Sequence, residues 1–226
     1  MDYKLSKIIN MPVIWSGPKS ANNLIILAHG AGAPMDTDFM DFFANGLAEH
    51  SIRVLRFEFP YMALRREGSN RRPPNTQQIL LTSWRQIIEE CRLTHKGPIY
   101  IGGKSMGGRM ATMIADEEKV QGVVCLGYPF YAPGRMDKPR IEHLLTLKTP
   151  TLILQGERDV MGSKEVVSKY NLSNRISIHW LTDGDHSLKP RKKSGYTEDG
   201  NLGEGLNETK IFVQSLSPNS ELPKKA

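Results

Sequence analysis

Cysteine is scarce in this chain: Cys91 and Cys125 are the only two in 226 residues. Two thiols this far apart build neither a disulfide framework nor a paired metal-ligand motif, which excludes a disulfide-stapled scaffold and a cysteine-built metal centre. Both are expected to be reduced and buried. Long apolar runs are missing too. The longest, such as Leu24–Ala28 and Val123–Leu126, fall far short of the roughly 20 residues that cross a bilayer. Met1–Asn10 mixes lysines with isolated apolar residues and lacks the continuous apolar core of a secretion signal, so a cytoplasmic location without membrane association is expected. No internal repeat and no shift of composition marks a second domain.

What is present reads as one globular domain. Hydrophobic residues make up 39% and charged residues 24%, with a mean hydropathy of −0.40, a composition neither disordered nor membrane-embedded. Apolar, β-rich runs recur at Leu24–Ala28, Arg53–Phe57, Ile99–Gly102, Val120–Leu126, Thr151–Gln155 and Ile176–Leu181. Most are continuous, as strands covered on both faces require. Between them, Asp38–His50 and Gln77–Arg92 carry apolar residues at helical spacing, and Met106–Asp116, Glu165–Tyr170 and Asn207–Leu216 complete the helices. This alternation predicts an α/β fold with a mostly parallel sheet of about seven strands and helices on both faces. The single domain is expected over residues 11–216, with polar residues 217–226 as a fraying tail.

After the strand Ile99–Gly102 the chain reads Gly103-Lys104-Ser105-Met106-Gly107-Gly108 and runs into a helical pattern. Gly-x-Ser-x-Gly between a strand and a helix is the signature of a sharp turn that lifts a serine hydroxyl above a sheet, with the helix N-terminus and the Met106 N–H beside it. A serine needs a histidine to take its proton and a carboxylate to hold that histidine's tautomer. Asp159 follows the strand Thr151–Gln155, and His186 follows the strand Ile176–Leu181, in the order Ser, Asp, His. Asp183, Asp185 and Glu157 are rival acids; the first two are so near His186 in sequence that they would have to fold back onto its ring. A second oxyanion donor is expected from His29-Gly30-Ala31-Gly32-Ala33-Pro34, with the Ala31 N–H favoured over that of Gly32 and His29 supporting the loop.

His29-Gly30, Gly103-x-Ser105-x-Gly107, Asp159 and Gly184-Asp185-His186 in this order resemble the α/β-hydrolase superfamily, over about Leu24 to Leu216. More narrowly, Gly102–Arg109 and the small uninterrupted domain are similar to the dienelactone-hydrolase-like group, and within it to bacterial proteins related to the α/β-hydrolase-like domain of a testis-expressed protein and of a histone acetyltransferase complex subunit. The resemblance implies a serine hydrolase with esterase-like or thioesterase-like chemistry, no cofactor and no metal. Dienelactone hydrolases proper carry cysteine where this chain has Ser105, so their lactone is not carried over. The segment before Leu24 is too short for the usual opening strands and leaves room for one, around Val13.

The net charge of +6 is unevenly placed. One basic run, Arg65, Arg66, Arg71 and Arg72, and a second, Lys189 to Lys193, both follow strand C-termini, the edge where open α/β sheets keep their sites. Arg71 and Arg72 are candidate contacts for an anionic substrate; the plainer reading is two solvated loops. No nucleic-acid-binding motif accompanies the charge, so the expected partner is a small ester or thioester rather than nucleic acid. Only residues 127–150 separate two successive strands, too few for a large lid. The aromatic stretch Tyr128–Tyr131 within them either lines an acyl pocket or packs the turn. Two further readings use the same residues: a non-catalytic scaffold, and transfer of the acyl group to an acceptor other than water.

Overall fold

Strands without a polar face have to be covered on both sides, and the computed structural model, which describes residues 5–70 and 73–217, places them so. Among these residues eight strands form one sheet: β1 (Ser6–Ile8), β2 (Met11–Ser16), β3 (Leu24–Ala28), β4 (Arg53–Phe57), β5 (Ile99–Lys104), β6 (Gly122–Leu126), β7 (Thr151–Gly156) and β8 (Ile176–Leu181). Their spatial order is β1-β2-β4-β3-β5-β6-β7-β8. From β4 to β8 every pairing is parallel, while β2 runs antiparallel to both β1 and β4. Strands β3, β6 and β7 are buried at every residue.

The sheet has one strand more than expected, and the difference lies at its opening edge. Two strands, not one, precede Leu24, because Ile9 and Asn10 adopt φ of +47° and +63° and close a hairpin that pairs Ile8 with Met11. A two-residue hairpin turn asks for left-handed residues. Asn10 suits that position, but the β-branched Ile9 hides the signal.

Among the described residues six α-helices cover the sheet: α1 (Asp38–Glu49), α2 (Pro60–Arg66), α3 (Gln77–Thr94), α4 (Met106–Ile114), α5 (Lys164–Val167) and α6 (Glu198–Ser215). Strand alternation divides the core. Leu24, Ile26 and Ile101 meet Trp84, Ile87, Ile88 and Met110 of α3 and α4 on one face. Ile25, Leu27 and Leu154 meet Met40, Phe43 and Leu47 of α1 and Leu202 of α6 on the other. Helix α6 begins well before Asn207, since Thr197 caps it by accepting from the Gly200 N–H (3.0 Å) and burial of Leu202 outweighs a glycine-rich first half. Helix α2 lies outside the helices that apolar spacing predicts; Pro60 sits at its first turn, where a fixed φ favours a helix start.

Between β6 and β7 the chain forms only a single 3-10 turn, Glu142–Leu145, so among the described residues no lid domain covers the C-terminal edge of the sheet. Tyr128, Phe130 and Tyr131 are buried in the core, which makes the aromatic stretch packing. No helix among the described residues is long and apolar enough to cross a membrane. Of the expected tail, only Ser217 is described, with its hydroxyl 3.0 Å from Asn23 Oδ1; residues 218–226 lie outside the described residues.

Trp84 is wholly buried and stands edge-on to Phe57, ring centroids 4.8 Å apart, while its indole N–H meets no acceptor among the described residues. Its contribution is therefore packing alone. Trp84→Ala is expected to lower the unfolding free energy by about 3–5 kcal/mol, and Trp84→Phe by less than half of that, in urea titrations. Equal losses for the two variants would refute this.

Candidate active site

The serine is held by what surrounds the turn. Ser105 follows β5 directly with φ +50° and ψ −112° and caps α4, and its backbone N–H donates to the Leu126 carbonyl at 3.2 Å. The end of β3 crosses the turn so closely that a Cβ on Gly103 would come within 2.0 Å of the Ala28 carbonyl oxygen, and one on Gly107 within 2.5 Å. Gly103 also has φ +143°, which L side chains rarely adopt. The two motif glycines are thus required by contact with a neighbouring strand.

His186, on the loop after β8, joins the serine to an acid. The Ser105 hydroxyl donates to His186 Nε2 at 2.8 Å, and His186 Nδ1–H donates to Asp159 Oδ2 at 2.7 Å. Asp159 is fully buried on the loop after β7. Its Oδ1 accepts from the Met161 N–H (2.8 Å), and its Oδ2 accepts also from Gln155 Nε2 (2.7 Å). The rival acids are occupied elsewhere. Glu157 binds Lys164 at 2.8 Å, Asp183 is gripped by Arg191 and by Arg158 at 2.9 Å, and Asp185 Oδ1 accepts the Ser187 and Lys189 N–H groups. The structure brings Ser105, His186 and Asp159 together and leaves the other three acids outside.

Gln155 was not singled out from the sequence, although a glutamine near the end of an otherwise apolar strand was the available signal. Its side chain is buried; its amide also donates to the Tyr128 (3.2 Å) and Gly162 (3.1 Å) carbonyls, and its oxygen accepts the Tyr128 N–H at 2.7 Å. It ties Asp159 to the loop after β6. Lys104 carries no sequence signal beyond its place inside the serine motif. Its ammonium donates to the His186 carbonyl and lies 5.0 Å from the Phe39 ring centroid, and burial pulls its pKa down to about 8.

The loop carrying Ala31 is fastened from α2 and the end of β4. His29 is buried, donates from Nδ1 to the Gly30 carbonyl (2.7 Å) and accepts the Phe59 N–H at Nε2 (3.1 Å). Burial lowers its pKa to about 4 and keeps it neutral, so it supports the loop. The Tyr61 hydroxyl, whose pKa burial raises to about 12, lies 3.0 Å from the Ala31 carbonyl and 3.3 Å from that of Gly30. Arg66 bridges Asp36 (2.9 Å) and the buried Glu58 (2.6 Å), and the buried Arg56 reaches both Asp41 and the Met35 carbonyl. A Cβ on Gly30 would lie 3.8 Å from the Ser105 Cβ, which sets this loop beside the serine.

Ser105, Met106, Ala31, Gly32 and His186 all line one open cleft of about 690 Å³. Arg71 and Arg72 lie outside the described residues. In the second basic run Lys189 is paired with Glu198 (2.5 Å) and Arg191 with Asp183 (2.5 Å), so two of its charges are neutralised within the fold. Among the described residues no group of three or more His, Cys, Asp or Glu is placed to hold a metal ion.

The neutral His29 sets an acid limit on stability. With a folded pKa of about 4 against an ordinary 6.5, the unfolded chain takes up a proton that the folded one refuses. Stability from this residue is complete above pH 6.5 and is lost as pH falls toward 4. The melting temperature of the wild type is therefore expected to fall across that window, and that of His29→Gln to fall less steeply. Parallel slopes would show that His29 is not held neutral.

The sequence profile of the alpha/beta hydrolase domain matches residues 21–214. Solved structures share the fold at low identity. An alpha-beta serine hydrolase homologue from Coxiella burnetii is 17% identical, with 96% of this chain and 97% of that one covered at a TM-score of 0.69. Est1E from Butyrivibrio proteoclasticus is 14% identical, with 95% and 98% covered at 0.68. XC6422 from Xanthomonas campestris, described as a serine hydrolase without lid, is 16% identical, with 93% and 91% covered at 0.64. With its eight-stranded sheet, its glycine-flanked serine at the end of β5 and a profile match over most of its length, the chain belongs to the α/β-hydrolase family.

Proposed function

We propose that this protein is a serine hydrolase that cleaves a carboxylic ester or thioester through an acyl-enzyme on Ser105. The observation that carries the reading is the two-ended engagement of His186, 2.8 Å from Ser105 Oγ and 2.7 Å from Asp159 Oδ2. A buried carboxylate on Nδ1 leaves Nε2 unprotonated toward the serine, which is the tautomer a general base needs.

In this reading Ser105, His186 and Asp159 form a catalytic triad. Ser105 Oγ attacks the acyl carbon while His186 Nε2 takes its proton, and Asp159 stabilises the imidazolium. The N–H groups of Met106 and Ala31 donate to the oxyanion of the tetrahedral intermediate, a contribution of about a hundred- to a thousandfold in rate for each donor. His186 then passes its proton to the departing alcohol or thiol, and a water, activated by the same histidine, releases the acid. The bracing of the Gly30 and Ala31 carbonyls by Tyr61 supports a preformed donor at this loop.

Within its family we place the chain with the dienelactone-hydrolase-like group, on Gly102–Arg109 and the small uninterrupted domain. The substrate we infer is a small soluble molecule, since the cleft is open and only the short loop 127–150 stands where a lid would insert. Neither nucleic acid nor a membrane is part of the reading. A cytoplasmic setting suits Cys91 and Cys125, two buried free thiols.

A fluorophosphonate is expected to label the wild type, with peptide mapping placing the adduct on Ser105. Ser105→Ala is expected to abolish labelling and turnover of p-nitrophenyl butyrate, and Asp159→Asn to lower kcat by about ten-thousandfold while the fold is retained. A folded wild type that stays unmodified at Ser105 would overturn the assignment.

A further inference from the structure

The charges around the cleft are unequally spent. Glu198 lines it, but its carboxylate is held by Lys189, and the Lys104 ammonium is committed to the His186 carbonyl. Arg109 and Arg140 line the same cleft, and among the described residues neither guanidinium meets a carboxylate or any other hydrogen-bond acceptor. The cleft therefore carries two positive charges that the fold does not answer.

Both arginines are positioned with care. Arg109 stands one turn along α4 from Ser105 and donates its backbone N–H to the Ser105 carbonyl at 3.0 Å, so the elbow that presents the serine also places this side chain. Its Nε is buried without an acceptor. Arg140 reaches the cleft from the loop after β6, where its backbone is clamped: its N–H donates to the Phe130 carbonyl (2.6 Å), and its carbonyl accepts the Tyr128 hydroxyl (3.1 Å). Burial lowers the pKa of Arg109, Tyr128 opposes that, and Arg140 is near enough for its charge to lower it further.

Their polar neighbours are neutral. Burial and Arg109 together push His143 down to about 4, and its Nε2 engages the Thr112 hydroxyl at 2.9 Å. Burial pushes the Tyr128 phenol up and keeps it protonated. Two like charges on a partly dry wall repel unless an anion bridges them, and guanidinium forks suit the paired oxygens of a carboxylate or phosphate.

We propose that Arg109 and Arg140 form an anion subsite of the cleft, and that the preferred ester or thioester carries a carboxylate or phosphate group away from its reacting carbonyl. This rests on Ser105 as the nucleophile, and it moves anion recognition from the basic loops to the cleft wall.

The test compares kcat/KM for p-nitrophenyl hemisuccinate with that for p-nitrophenyl butyrate, and for acetyl-CoA with that for an uncharged acetyl thioester. The first pair reads a carboxylate and the second a phosphate. In Arg140→Gln, an exposed position that keeps the test apart from folding, and in Arg109→Gln, at least one charged-to-neutral ratio is expected to fall roughly tenfold to a hundredfold, with partial recovery in Arg109→Lys. Ratios within about twofold of the wild type in both glutamine variants overturn the subsite. Should the wild type hydrolyse none of these compounds, the nucleophile is judged separately, by fluorophosphonate labelling of Ser105. The subsite is then read by calorimetric titration of monomethyl succinate and of inorganic phosphate into Ser105→Ala. Binding that disappears on adding Arg140→Gln supports it; no binding of either anion, or binding that survives Arg140→Gln, overturns it.

Discussion

The contact on which this molecule depends is the approach of the turn after β5 to the end of β3. The Ala28 carbonyl occupies the space where side chains at 103 and 107 would stand, so the turn has to be built from glycines. Once it is, Ser105 is held at φ +50° with α4 starting at the next residue. The strained serine is sustained by the sheet around it, since β5 is paired on both sides by fully buried parallel strands. A residue in a sparsely populated conformation persists only where its surroundings over-determine it.

From that point the C-terminal edge is assembled by buried polar side chains that join loops distant in sequence. Gln155 links Asp159 to the loop after β6, Asp159 orients His186, and Lys104 reaches back from β5 to the carbonyl of the same histidine. On the opposite side His29, Tyr61, Arg56 and Arg66 fasten the Ala31 loop to β4 and α2. Each of these groups has a partner inside the fold, and a buried polar network rigidifies what it connects. Arg109 and Arg140 differ by facing the cleft without a counter-charge among the described residues.

Much of this was legible in the chain because it is local. Apolar, β-rich runs, most of them continuous, marked β3 to β8, helical spacing marked α1 and α3, and Gly-x-Ser-x-Gly between a strand and a helix marked the elbow. The positions of Asp159 and His186 followed from chain order after successive strands. Other features were hidden by residues that contradict their own local preference. Ile9 masks the first hairpin, Pro60 reads as a breaker although it starts α2, and glycines at 200, 203 and 205 obscure the first half of α6.

By itself the sequence determined the fold class, the elbow and an ordered serine, aspartate and histidine, because those depend on periodicity and short motifs that act over a few residues. Only the tertiary structure decided among the acids. Asp159, Glu157, Asp183 and Asp185 are chemically alike and close in sequence, and what separates them is which cation or N–H each meets once β7 and β8 lie side by side. The tertiary structure likewise separated the spent charges of the loops from the unspent arginines of the cleft. Pairing between charges is set by distance through space, which one-dimensional order does not record.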